Sequence, residues 1–163
     1  MSQSRHLAAI LFADIEGYTA IMHRDEALAE AIAAKFRKHM HEQVALHNGH
    51  IQHWTGDGAL CSFDSAVEAV QAAIAVQKEA QQDPVVPLRI GIHTGDVVFM
   101  EDELYGDVLN IASRIESFAI PGGVFISAKV YDEIRNQKEI RAVSMGMYHL
   151  KNVTEPMQIF AIS

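Results

Sequence analysis

Residues 7–19 read Leu7-Ala8-Ala9-Ile10-Leu11-Phe12-Ala13-Asp14-Ile15-Glu16-Gly17-Tyr18-Thr19. An apolar run meets a carboxylate and is then stopped by glycine, which predicts a buried strand over Leu7 to Ile15. Such a strand delivers Asp14 at its end. In the glycine turn behind it, successive backbone N–H groups can cradle phosphate oxygens. A second carboxylate stands in Gly56-Asp57-Gly58. Ile51 to Phe63 reads as two strands joined by a tight turn at these residues. The flanking glycines let Asp57 stand at the hairpin tip with close backbone approach. Two carboxylates on neighbouring strands can share a pair of Mg²⁺ or Mn²⁺ ions. Such a pair stabilises both the attacking and the leaving oxygen of an in-line phosphoryl displacement.

The rest of the chain alternates strand and helix. Asp25 to His47 predicts a long helix, with Leu28, Ile32, Phe36, Met40 and Val44 on one face. Asn48-Gly49 ends it. Ser65 to Gln82 is a second helix, with Ser65 as N-cap and Glu68 three residues on. Leu88 to Met100 reads as strand, turn and strand, the turn falling at His93-Thr94-Gly95-Asp96. Leu109 to Phe118 is a helix, Val124 to Ser127 a strand, and Lys129 to Asn136 a short helix. Val143 to Leu150 and Gln158 to Ile162 complete the chain as strands. The order β-α-β-β-α-β-α-β with a terminal hairpin predicts an α+β, ferredoxin-like plan. A mostly antiparallel sheet would carry its helices on one face.

The chain has 163 residues, 49% of them hydrophobic, which suits one domain spanning 1–163. It lacks the ~18-residue apolar run of a membrane span. Asp14 follows the first apolar stretch too soon for a signal peptide. The lone Cys61 cannot form an internal disulfide, so a reducing, cytoplasmic setting is expected. A net charge of −8 disfavours a nucleic-acid surface. It leaves room for an anionic ligand accompanied by metal. Nine histidines raise the question of zinc. The position four after His41 is Ala45, so a zincin helix is absent.

A third constellation is Tyr105-Gly106-Asp107-Val108-Leu109-Asn110-Ile111-Ala112-Ser113-Arg114. On a helix, Asn110 and Arg114 share a face. An Arg suits charge developing on a phosphoryl oxygen, and an Asn amide suits a sugar. Each constellation alone has an ordinary structural explanation: a hairpin turn, a helix cap, a surface ion pair. A phosphatase-type loop would want a second Asp where Glu16 stands, and a doubly wound parallel sheet.

Taken in order with Arg89-Ile90-Gly91-Ile92-His93-Thr94-Gly95 and Leu150-Lys151, the set resembles the class III adenylate/guanylate cyclase catalytic domain. The resemblance runs from about Leu7 to Ile162. That family joins the ribose 3′-oxygen to the α-phosphate and expels pyrophosphate. The resemblance implies that Asp14 and Asp57 bind both Mg²⁺ or Mn²⁺ ions, with the Ile15 carbonyl as a further ligand. The turn Ile15, Glu16, Gly17, Tyr18 and Thr19 would hold the β- and γ-phosphates. Asn110 would orient the ribose, Arg114 would stabilise the transition-state charge, and Lys151 would contact the triphosphate. The family divides these groups between two chains, which implies a head-to-tail homodimer with two equivalent sites. Domains of this kind are commonly one module of a larger signalling protein.

The chain departs from the family where the base is read. His53 stands four residues before Asp57, where adenylate cyclases typically carry Lys. Glu103 stands where they carry Asp or Thr, and guanylate-specific members tend to use Glu and Cys. His53 can donate to adenine N1 and Glu103 can accept from N6, which favours ATP over GTP. Asn152 follows Lys151 where glycine is common. Two readings compete with an active adenylate cyclase. One is a guanylate cyclase; the other is a silent, nucleotide-binding regulatory domain.

Overall fold

Strand β1 (Gln3–Ile15) decides which side of the sheet each helix takes. Its side chains alternate between faces. Ala9, Leu11, Ala13 and Ile15 enter one core, whereas Ala8 and Ile10 enter another. The computed structural model describes residues 3–163, so the first two residues of the expected domain lie outside the described residues. After β1 come α1 (Tyr18–Arg24), α2 (Glu26–Leu46), β2 (His50–Trp54), β3 (Gly58–Phe63) and α3 (Ala66–Ala80). Then follow β4 (Leu88–Met100), β5 (Glu103–Tyr105), α4 (Asp107–Phe118), β6 (Val124–Ser127), α5 (Ala128–Ile134), β7 (Ala142–Tyr148) and β8 (Met157–Ile162).

The sheet runs β2-β3-β1-β4-β6-β8-β7, with β5 paired to β4. Among the described residues only β4 and β6 pair in parallel; the crossover between them carries α4. The mostly antiparallel α+β plan therefore matches the expectation. One detail is corrected: the helices do not share one face. The large core under α2, α3 and α5 holds Ile32, Phe36, Met40, Val70 and Val130. Helix α4 packs on the opposite face, with Val108 and Ala112 against Ala8, Ile10 and Val97.

Local chemistry explains the helix ends. Asp25 accepts from the Leu28 N–H at 3.1 Å and caps α2. Ser65 accepts from the Glu68 N–H at 3.2 Å and caps α3. The Glu68 side chain does not close a capping box; it accepts from the Asn48 amide at 2.9 Å. Two expectations are revised. The helix expected from Asp25 is preceded by α1, which buries no residue and so leaves no periodic signature. The turn expected at His93-Thr94-Gly95-Asp96 does not exist. β4 is unbroken and pairs with β1 from Leu88 to Met100. Gly95 looks like a turn residue, but it lies in the strand beneath the Val108 side chain of α4. Among the described residues no helix is long and apolar enough to cross a membrane.

Candidate functional site

Asp14 projects from the end of β1 on the α4 side of the sheet. The register sets it opposite Gly58 on one flank and opposite Arg89 on the other. Asp57, at the hairpin tip, is tied to the same corner: the Ile15 N–H donates to the Asp57 carbonyl at 2.9 Å. A side chain at Gly58 would run into the Ala13 carbonyl, so the tip can lie against β1 only as glycine.

Arg89 grips Asp14 with a fork: Nε donates to Oδ1 at 3.1 Å and Nη2 to Oδ2 at 3.0 Å. The same guanidinium lies 3.4 Å from Glu116 Oε2 and 3.9 Å from Glu16 Oε1. Its hydrogen bond to Asp14, more than any other neighbour, raises its pKa further. Glu116, on the inner side of α4, is pushed up to about 8. Burial is the main cause and adjoining Asp14 the next, with Asp57 adding to it and Arg89 opposing. Asp14 and Glu16 share the one Arg89 cation, and Asp57 adds to the field that Glu116 feels, so the corner keeps unmet negative charge. Its donors are hard oxygens, which suit Mg²⁺ or Mn²⁺. Among the described residues no three His, Cys, Asp or Glu side chains converge as a metal cluster. Of the expected ligands, the structure brings Asp14, Ile15 and Asp57 to one corner.

Sequence reading left Arg89 and Glu116 without a role. Leu88, Ile90 and Ile92 lie in the large core, so strand alternation alone turns Arg89, Gly91 and His93 to the α4 face. Gly91 then carries the helix: a Cβ there would collide with the backbone of Glu116. His93 is 5% exposed, and its Nδ1 lies 2.7 Å from Ser127 Oγ. Burial, followed by the charge of Lys129, lowers its pKa from 6.5 to about 4.

Asn110, Arg114 and Lys151 come together elsewhere. They line a cleft of about 400 Å³, with Asp107, Asn152 and Thr154 beside them. Asn110 and Arg114 project one turn apart from α4, and Lys151 enters from the β7–β8 loop. Asn152 takes the left-handed conformation, φ 66°. Asparagine tolerates this, so the loop keeps its turn without the usual glycine. Neither Asp14 nor Asp57 lines this cleft.

His53 and Glu103 share a second cleft of about 310 Å³, with Gln52, Leu60, Asp102 and Leu104. The β4–β5 turn places Glu101 and Asp102 at φ 54° and 64°. Leu104, like Phe12 and Leu60, then packs against the small core on the α4 face. Glu103 is held by Tyr105, whose O–H donates to Oε2 at 3.0 Å. Gly17 is the N-cap of α1, with φ 70°, and Tyr18 and Thr19 open that helix. The expected phosphate turn is therefore the first turn of a short helix.

A sheet of this order, with helices on both faces, is the architecture of class III cyclase catalytic domains. The profile described as "Adenylate and Guanylate cyclase catalytic domain" matches residues 1–163, and the chain belongs to that family. It is 36% identical over 167 residues to "Putative adenylate cyclase 3" of Rhizobium meliloti (strain 1021), covering 98% of this chain and 28% of that protein. Among solved structures it resembles an adenylate/guanylate cyclase/hydrolase from Silicibacter pomeroyi: TM-score 0.90, 30% identity, 99% of this chain and 98% of that one covered. The adenylyl cyclase CyaB from P. aeruginosa gives TM-score 0.88 and 25% identity, covering 100% and 96% of the two chains. The chain spans only about a quarter to a half of the curated relatives it matches.

Proposed function

We propose that this chain cyclises a purine nucleoside triphosphate, ATP in preference to GTP, to the 3′,5′-cyclic monophosphate and pyrophosphate. Catalysis takes place at sites shared by two copies arranged head to tail. The observation that carries this reading is the division of the groups: the cleft of Asn110, Arg114 and Lys151 is lined by neither aspartate. A second copy, presenting its aspartate corner to that cleft, would complete the set.

Asp14, Asp57 and the Ile15 carbonyl would hold two Mg²⁺ or Mn²⁺ ions. Bound there, the ions would neutralise the triphosphate and lower the pKa of the ribose 3′-hydroxyl. The chain's own residues do the rest. The backbone of Ile15, Glu16 and Gly17, with Tyr18 and Thr19 at the start of α1, receives the β- and γ-phosphates. Asn110 fixes the ribose so that O3′ faces the α-phosphorus. The 3′-hydroxyl releases its proton to solvent, the O3′–P bond forms as the bridging bond to the β-phosphate breaks, and pyrophosphate leaves with that electron pair. Arg114 meets the charge that builds on the α-phosphoryl oxygens, and Lys151 offsets charge on the triphosphate. His53 donates to adenine N1 while the Glu103 carboxylate accepts from the 6-amino group. The reading extends to a cytoplasmic signalling role as a module of a longer protein.

The test is product identity. Incubation with ATP and with GTP in the presence of Mn²⁺ should give cyclic monophosphate and pyrophosphate, faster from ATP. A strong GTP preference would reverse the base assignment. Mixing the individually inactive Asp14→Ala and Arg114→Ala chains should restore about a quarter of the wild-type rate, because half of random dimers hold one intact site. No recovery on mixing would overturn the shared site.

A further inference from the structure

Strands β2 and β3 pair regularly except at one point. Ile51 lies opposite Cys61 and His53 opposite the adjacent Leu60, so Gln52 is an extra residue in β2, a bulge. The packing on either side follows from it. Ile51 and Trp54 are three apart, yet both pack on the core beneath α2. In an unbroken strand they would point to opposite faces. Gln52 and His53 are adjacent, yet both line the cleft that holds Glu103. The bulge has therefore turned one additional polar side chain toward the same cavity.

That side chain is also held. Gln52 Nε2 donates to Ser62 Oγ at 2.7 Å, and Ser62 on β3 is 8% exposed. One N–H of the amide is engaged by the sheet, which leaves its carbonyl oxygen, an acceptor, beside the second N–H. Tyr105 fixes Glu103 in a comparable way, from the other wall. The cleft thus offers two held acceptors, the Gln52 and Glu103 oxygens, beside the ring N–H of His53.

We propose that Gln52 is a specificity-determining residue, whose carbonyl oxygen, aimed by Ser62, accepts from the exocyclic amine of a 6-aminopurine beside Glu103. This rests on the nucleotide reading above. The 6-amino group of adenine has two N–H bonds, one for each acceptor, and N1 is left for His53. A 6-oxo purine would set its oxygen against both acceptors.

The experiment compares kcat/KM for ATP and for purine riboside 5′-triphosphate, which lacks only the 6-amino group, with Mn²⁺. The proteins are wild type, Gln52→Leu, Gln52→Met and Ser62→Ala. Wild type should prefer ATP. Both Gln52 variants should reduce that preference roughly two- to tenfold, through KM for ATP, and leave turnover of the analogue unchanged. Ser62→Ala should shift it in the same direction by less, because the amide is retained but not held. Either Gln52 variant serves if the other fails to fold. An equal loss with both nucleotides, or an unchanged ratio, overturns the assignment of Gln52. No cyclic product from any triphosphate with wild type overturns the nucleotide reading itself.

Discussion

The aspartate corner and the Asn110–Arg114–Lys151 cleft stand in contrast. In the corner, charged groups already have partners within the chain, with Arg89 forked onto Asp14 and close to Glu116. In the cleft, neither Arg114 nor Lys151 has a carboxylate partner among the described residues. The corner is acidic and internally cross-linked, whereas the cleft holds two cations without ion-pair partners, with Asp107 on its wall. A chain built this way fixes the geometry of the aspartate corner by itself, and leaves the cations of the cleft without a partner of their own.

The largest effects should come from breaking the corner. Asp14→Asn or Asp57→Asn should lower cyclic product formation on the order of 10³-fold or more, read by product assay with Mn²⁺. Arg114→Ala should cost about 10²- to 10³-fold in kcat with a smaller change in KM, since its charge is needed most in the transition state. A similar loss in KM alone would make Arg114 a plain binding group and blunt the contrast.

Gly91→Ala tests whether corner and cleft are mechanically joined. The added methyl must displace α4 at Glu116. It should lower unfolding free energy by about 1–3 kcal/mol in denaturant melts and reduce activity as well. Stability lost with activity intact would show that the cleft tolerates a shifted helix.

His93 gives a pH dependence with a definite sign. Its folded pKa of about 4 lies below the ordinary 6.5. The stability from keeping it neutral is present above pH 6.5 and is lost as pH falls through 4. His93→Gln should remove up to about 3 kcal/mol of that acid sensitivity, read as a flatter melting temperature between pH 6.5 and 4. The smallest effect should be that of Tyr105→Phe. Freeing Glu103 should raise KM for ATP roughly two- to threefold at unchanged kcat.

Much of this contrast was legible in the chain. The apolar run into Asp14, the glycines around Asp57 and the four-residue spacing of Ile32, Phe36, Met40 and Val44 each carry a local signature. Tertiary contacts carry none. Arg89, Asp14 and Glu116 are far apart in sequence and meet only through strand register and helix packing. The bulge at Gln52 is invisible without β3 beside it. β5 is three residues long and α1 buries nothing, so neither is periodic enough to announce itself. Gly95 misled because glycine serves close packing as well as turns.

Asp25 belongs to two helices at once. It closes α1, its N–H bonded to the Ile21 carbonyl at 2.7 Å, and its side chain opens α2. No slack residue separates the two helices. The segment of Glu16, Gly17 and α1 is therefore a short tether with both ends fastened, one to β1 and one to the longest helix. A tether of that length has few shapes left to lose, so the entropy of ordering it is settled at folding.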